Sequence, residues 1–300
     1  MIARKKLLDL SFSSLAFQIL GRLVLGITAI ICLLPFLLMV SSSLTTPKAI
    51  ARFGFRLIPR EFTTEAYRLL FRNGIAVSRA YGVSVFVTAI GSFLGLMVIS
   101  MAAYAISRPY FSYRNQVSFY FYFTTLFSGG LLSVYILFVR YLNLKNNLMS
   151  LILPLVVNVL YILIMRNLFS TISSSIFESA KIDGAGELVI FFCLALPLSG
   201  STLATIGLFL VLDYWNDWYN AMLYISDHRM FPLQYMLYNM LTTTDALRRI
   251  SSAAGMSVIK IPSKSLRLAM AVVAAGPVLF AYPFVQKFFV KGVHIGAVKG

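Results

Sequence analysis

Acidic side chains are scarce in this sequence. Ten aspartates and glutamates stand against 26 lysines and arginines in 300 residues, a formal net charge of +16. A surplus of that size would suit an anionic partner. The basic residues are scattered between apolar runs, however, with no dense block and no nucleic-acid motif, so nucleic acid is not among the expected partners. Cysteine is almost missing as well. Cys32 and Cys193 both lie inside apolar runs, which argues against a structural disulfide and makes packing their default role. His228 and His294 stand alone, without the clustered ligands that a metal site needs. No Gly-x4-Gly-Lys-Ser/Thr run occurs, so the chain should not bind ATP through a P-loop of its own. A membrane enzyme would need convergent nucleophile, base or metal groups, and none is visible.

Apolar length is what the chain has in excess. Hydrophobic residues make up 59% and charged residues 12%, far from the usage of a soluble domain. About 20 apolar residues cross the hydrocarbon core as a helix, and six runs qualify: Leu23–Thr46, Ala80–Ser107, Asn115–Val139, Asn146–Met165, Leu188–Leu212 and Leu268–Gln286. Backbone groups cannot stay unpaired in lipid, so each run should be helical. The expectation is an all-α, polytopic membrane protein. Arg4, Lys5 and Lys6 ahead of Leu23–Val40 resemble a signal peptide, but the run is too long and lacks a small-x-small site. It reads as a retained first helix with Pro35 as a tolerated kink.

Several features between and within the runs invite a role. Residues 42–79 form a polar loop with Pro47 and Pro59, and Ala66, Tyr67, Leu69, Leu70 and Phe71 suggest a short amphipathic helix at the membrane surface. Gly91-x3-Gly95 permits close helix contact, with a second chain or within this one. The aromatic run Phe119–Phe123 suits lipid or core packing more than sugar stacking. Asn158 at mid-membrane depth should face other helices or a water-filled cavity. At helical spacing Asp213, Asn216, Asp217 and Asn220 share one face, interleaved with Trp215 and Trp218 as in an interfacial aromatic belt. Asn158, Asp213, Trp215, Asn216 and Trp218 are therefore candidates for substrate contact. The stretch 226–267 is too long for a simple connection.

Between two apolar runs lies a charged, glycine-punctuated segment, Glu178–Ser179–Ala180–Lys181–Ile182–Asp183–Gly184–Ala185, followed by Leu194–Ala195–Leu196–Pro197. Ser175 with Glu178 three residues later reads as a capping box opening a short helix. Asp183–Gly184 supplies the turn that ends it. Ile176, Phe177, Ala180 and Ile182 would give the helix an apolar side that needs covering, by its own protein or by a partner.

This segment resembles the EAA loop of permease subunits in binding-protein-dependent ABC importers, with Glu178, Ala180, Gly184, Leu196 and Pro197 at the family's spacing. Ser179 and Leu194 depart from the pattern conservatively. Asp213–Asn220 with Phe231–Pro232–Leu233–Gln234 is similar to carbohydrate permeases related to the maltose importer's smaller permease. The ending Lys291–Gly292 to Lys299–Gly300 is similar to the subgroup that imports complex oligosaccharides. The resemblance implies the six-helix type I ABC importer permease fold over 23–292, in the bacterial inner membrane. It implies cytoplasmic segments 1–22 and 293–300, a cytoplasmic coupling segment 170–190 and an external loop 226–267. Glu178, Ser179, Ala180, Asp183, Gly184, Ala185 and Pro197 would couple the chain to an ATPase. The implied partners are a second homologous permease, two ATPase subunits that bind ATP and Mg, an extracytoplasmic solute-binding protein and membrane lipid. No cofactor is expected in this chain itself.

Charge bias does not reproduce that orientation. Eleven of the 26 basic residues would lie inside and 15 outside, against the positive-inside tendency, although Arg4, Lys5 and Lys6 favour an inside amino terminus. The outer excess, including Arg52, Arg56, Arg60, Arg68, Arg72, Arg248, Arg249 and Lys260, would suit a partner face or a uronic-acid oligosaccharide. The alternative function is an ion-coupled secondary transporter. That would want an intramembrane carboxylate or an internal repeat, and the cores of the six runs hold no acidic residue.

Overall fold

The computed structural model describes residues 2–253 and 264–279. Every regular element among them is helical, apart from an isolated antiparallel bridge between Thr45 and Phe62. The chain divides into two compact units, 1–72 with 244–273 and 73–243 with 274–300.

The first unit opens with α1, Ile2–Ser43, whose part Phe17–Ser43 is long and apolar enough to cross a membrane. Pro35 lies inside α1 without ending it. The first apolar run was expected to reach Thr46, but the helix stops at Ser43. Thr45 and Thr46 instead brace the returning chain. Thr46 caps α2, Pro47–Phe53, by accepting from Ala49 N at 3.2 Å, and its hydroxyl donates to Glu61 Oε2 at 2.6 Å. Proline at the first turn of α2 forfeits no helical hydrogen bond, because its missing N–H would be unpaired there anyway. The amphipathic stretch forms α3, Glu65–Leu70, which buries Ala66 and Leu70. Within this unit Asp245 and Arg267 form an ion pair.

In the second unit α4, Gly74–Ser107, is the helix around which the others assemble; α7, Met149–Val156, α8, Val159–Thr171, and α12, Gly200–Asn216, all pack on it. Small residues make this possible. Gly95 lies in van der Waals reach of Leu210 and of the Val156 carbonyl, and Gly91 faces the ring of Tyr214. The Gly-x3-Gly face thus serves packing inside the chain, the plainer of its two readings.

Three of the six expected spans are not continuous helices. The third run breaks into α5, Arg114–Leu126, and α6, Gly130–Ile136, with a π turn over Leu137–Tyr141 and a bend of 112°. Gly130 at φ 78° makes that corner. The fourth run splits between α7 and α8 with a bend of 48°. Pro154 sits inside α7, and the break comes later, where the Asn158 side chain accepts from Leu160 N at 3.0 Å and Tyr161 N at 3.4 Å. A short polar side chain can replace the helical ladder in this way. The fifth run is α10, Glu187–Ile190, a π turn over Phe191–Ala195 and α11, Leu196–Leu198, then α12 after a bend of 85° at Ser199. Pro197, Ser199 and Gly200 are all poor at continuing a helix. Hydropathy counts residues and is blind to such breaks. Of the sixth run, 268–279 lies in a helix over 264–279, and the remainder, like the tail 293–300, lies outside the described residues.

One smaller expectation is also corrected. Cys32 and Cys193 are both exposed on the chain's surface, so neither is buried within it. Within the stretch that begins at 226, α14 runs from Leu233 to Ala253.

Candidate functional site

The site grows from the last turn of α4. Tyr104 and Arg108, one helical turn apart, both point at the segment after α8. That segment winds into α9, Ser174–Ile182, as its glycine-punctuated sequence demanded. Arg108 is 94% buried, yet no carboxylate among the described residues meets it: Nη2 donates to the Phe169 carbonyl at 3.1 Å and Nε to Ser107 Oγ at 3.1 Å. Its guanidinium lies over two rings, Phe177 of α9 at 3.8 Å and Tyr104 at 4.7 Å. A planar, weakly hydrated cation is the one charged group suited to such a slot. Phe177 is itself buried and meets the Tyr104 ring edge-on at 6.4 Å.

A second link runs through Glu187 at the start of α10. Tyr104 Oη donates to Glu187 Oε2 at 2.9 Å, and Lys181 Nζ of α9 meets Oε1 at 2.7 Å. Lys181 also lies over the Tyr110 ring at 3.4 Å. Hydrogen bonds to Glu187 and Tyr110 hold its ammonium above the usual lysine range. Beside these residues an open cavity of about 410 Å³ is lined by Met101, Tyr104, Arg108, Phe111, Leu188 and Phe191, among others.

Backbone geometry closes α9. Ala185 N donates to the Ala180 carbonyl at 2.9 Å and Gly184 N to the Lys181 carbonyl at 3.0 Å, the paired bonds of a Schellman motif. Gly184 takes φ 81°, the left-handed conformation that side chains disfavour, while a Cβ there would meet nothing within 4 Å. Its requirement is therefore conformational and not steric. The start of α9 differs from expectation. Ser173, not Ser175, is the N-cap; no capping box forms, and Ser173 and Ser175 hydroxyls bond each other at 2.8 Å.

Four of the seven coupling residues read from the sequence are exposed on or just after α9. Glu178, Ser179, Asp183 and Gly184 are exposed; Ala180 and Ala185 are half-buried against the core. Ile182 is 86% exposed, an extreme value for an isoleucine outside an apolar run. Pro197 is exposed but lies beyond the π turn, in α11. Tyr104, Arg108 and Glu187 were not singled out in the sequence. Arg108 ends an apolar run, and its partners outside α4, Phe169 and Phe177, are about 60 to 70 positions away.

Each candidate for substrate contact has a partner within the chain. Asn158 is occupied as a helix cap. Asp213 accepts from Tyr161 Oη at 2.8 Å. Trp215 is buried and donates Nε1–H to the Ala274 carbonyl at 3.0 Å. Asn216 donates back to the Leu212 carbonyl and accepts from Gln234. Trp218 stacks on Tyr238 at 4.3 Å. Nor do Asp213, Asn216, Asp217 and Asn220 share one helix, because α12 ends at Asn216 and Asp217 caps α13, Tyr219–Tyr224, accepting from Tyr219 N and Asn220 N. Burial raises the Asp217 carboxyl above the ordinary range, although its bonds to Asn220 and Tyr219 oppose the shift. Among the described residues no group of three His, Cys, Asp or Glu side chains could hold a metal.

Comparison with known proteins decides the family. The chain is 39% identical over 272 residues to the polygalacturonan/rhamnogalacturonan transport system permease protein YtcP of Bacillus subtilis (strain 168), covering 91% of this chain and 94% of that protein. The chain belongs to the carbohydrate ABC transporter permeases. Protein LplC of the same organism is 36% identical over 284 residues, 95% of each chain. Among solved structures, a chain from a bacterial ABC transporter involved in the import of the acidic polysaccharide alginate superposes with a TM-score of 0.75. It has 29% identity and covers 92% of this permease and 98% of that chain. No protein-family model matches the sequence. The permease is thus a multi-pass membrane protein of the transport class, built on the ABC importer permease fold.

Proposed function

We propose that this permease forms half of the transmembrane pathway of an ATP-driven importer whose cargo is an oligosaccharide carrying uronic-acid units. A second homologous permease completes the pathway, and an extracytoplasmic binding protein delivers the cargo. Two ATPase subunits, which bind ATP and Mg, grip α9 and its counterpart from the cytoplasm. Both chain termini and the segment 170–190 lie on that side. The observation carrying this reading is the surface of α9: a short helix, closed at its C-terminal end, that displays Glu178, Ser179 and an almost uncovered Ile182. An exposed isoleucine beside charges is the composition of a docking face.

ATP binding closes the ATPase pair, α9 moves with it, and the bundle rocks between two access states. Nucleotide drives this only through its different affinity for the two states. The acidic cargo is supported by two facts. The similar proteins are a polygalacturonan/rhamnogalacturonan transport permease and a transporter involved in the import of the acidic polysaccharide alginate. In addition, three exposed arginines gather around one ring in the first unit: Arg52, Arg56 and Arg60 lie 5.3, 5.7 and 4.6 Å from Phe53. Like charges are brought together only at a cost, and an anion nearby would offset it.

Reconstitution with the partner permease, the ATPase and the binding protein tests the whole reading. Uptake of di- and trigalacturonate should require ATP, and the methyl-esterified, neutral sugars should be imported poorly. Uptake driven by an ion gradient with no ATPase present would overturn the importer assignment.

A further inference from the structure

α9 is covalently continuous with the fourth and fifth apolar runs, yet its side chains are fastened elsewhere. Phe177, its one fully buried residue, is clasped by Arg108 and Tyr104 of the last turn of α4 and the residue beyond it. Lys181, one turn further along α9, reaches the same Tyr104 through Glu187. The two links converge on a single ring, which also meets Phe169 edge-on at 5.8 Å and Phe191 at 5.3 Å. From there α4 carries the contact inward, because α7, α8 and α12 all pack along it.

We infer that Arg108, with Tyr104, is the joint that delivers the displacement of α9 to the second span, so that α4 and the helices packed on it move as one body. This rests on the importer reading above. Arg108 is a positioning residue here: it touches neither nucleotide nor cargo. Three features suit it to the task. Its guanidinium is desolvated, its donors hold the last turn of α8 through the Phe169 carbonyl, and its flat faces hold α9 and α4 together. Lysine would keep the charge and lose the stacking and the second donor direction. Nothing in the docking surface of α9 is altered by such a change, because Arg108 lies behind it.

The test uses the complete importer in proteoliposomes, with Arg108→Lys, the apolar but ring-deleting Phe177→Leu and the double variant. Three quantities are read: co-purification of the complex, ATP hydrolysis stimulated by loaded binding protein, and trigalacturonate imported per ATP. The complex should assemble and hydrolyse ATP in each variant, while import per ATP falls by about fivefold or more. The double variant should be no worse than the worse single one, as expected for residues acting through one contact. A second reading needs no cargo. Spin labels at Ser174→Cys and Met101→Cys, with Cys32 and Cys193 replaced by serine, should keep one separation on ATP binding in the parent and spread in the Arg108→Lys background.

Parent-like import per ATP in Arg108→Lys, or a parallel loss of hydrolysis and import, would overturn the joint. Should Arg108→Lys fail to assemble, Phe177→Leu decides by the same criteria. Absence of ATP-driven import in the parent itself would instead overturn the proposed function, with the label separations still judging the joint.

Discussion

A Cβ placed on Gly91 would stand 2.5 Å from both Cε1 and Cζ of Tyr214. That ring cannot simply swing away, because its hydroxyl donates to the Ile152 carbonyl at 2.7 Å and so ties α12 to α7. Gly91→Ala should therefore destabilise the protein by about 1–3 kcal/mol through overpacking. Gly82 lies on the same helix with nothing within 4 Å of its virtual Cβ. Gly82→Ala should be neutral or slightly stabilising, since alanine is the better helix former. Thermal unfolding of the detergent-solubilised protein separates the two.

Gly184 makes a different demand, of φ and not of space. Forcing a branched side chain into the left-handed region costs about 1–2 kcal/mol, so Gly184→Val should distort the exit from α9. Assembly with the ATPase should remain measurable, whereas import should fall out of step with ATP hydrolysis. Unchanged uptake by this variant would argue against a coupling role for the segment.

Asn158 separates a structural polar residue from one that binds cargo. Its side chain serves two backbone donors at the break between α7 and α8. Asn158→Ala should cost about 0.5–2 kcal/mol, the usual loss for a cap. Asn158→Asp or Asn158→Ser retains an acceptor and should recover most of that stability. Import at saturating cargo should follow stability across the three variants; a raised KM in the alanine variant alone would point to cargo contact.

Trp215 is the other candidate whose role is now specified by geometry. Its indole donates to the Ala274 carbonyl and its ring lies 6.4 Å from Tyr81 at a tilt. Trp215→Phe keeps most of the apolar volume and removes one hydrogen bond to a half-buried carbonyl. A loss of about 0.5–1.5 kcal/mol in stability is expected, with the cargo KM unchanged.

These residues show where the sequence could be read and where it could not. The class of protein and the closing turn of α9 were legible, because hydropathy is a sum over neighbours and Asp183–Gly184 is a local signal. The start of α9 was misplaced by two residues. Three serines in succession each offer a capping oxygen, and nothing local chooses among Ser173, Ser174 and Ser175. The breaks at Ser128–Gly129–Gly130, Val157–Asn158 and Ser199 were invisible, since an apolar window scores the same straight or bent. Arg108, Phe177 and Glu187 meet on Tyr104 across more than 80 positions, and no single-sequence pattern joins them. Of the residues suspected of touching cargo, most turned out to be engaged in capping or packing. In a membrane span a polar group must find a partner, and the nearest one is usually the protein's own backbone.

The closure of α9 is made wholly from its own peptide groups, with Ala185 and Gly184 returning to Ala180 and Lys181. The helix is therefore already wound before any subunit arrives, and its recognition face is preorganised. Docking on it forfeits little conformational entropy, so the affinity of the encounter can be modest and the contact still stiff enough to push.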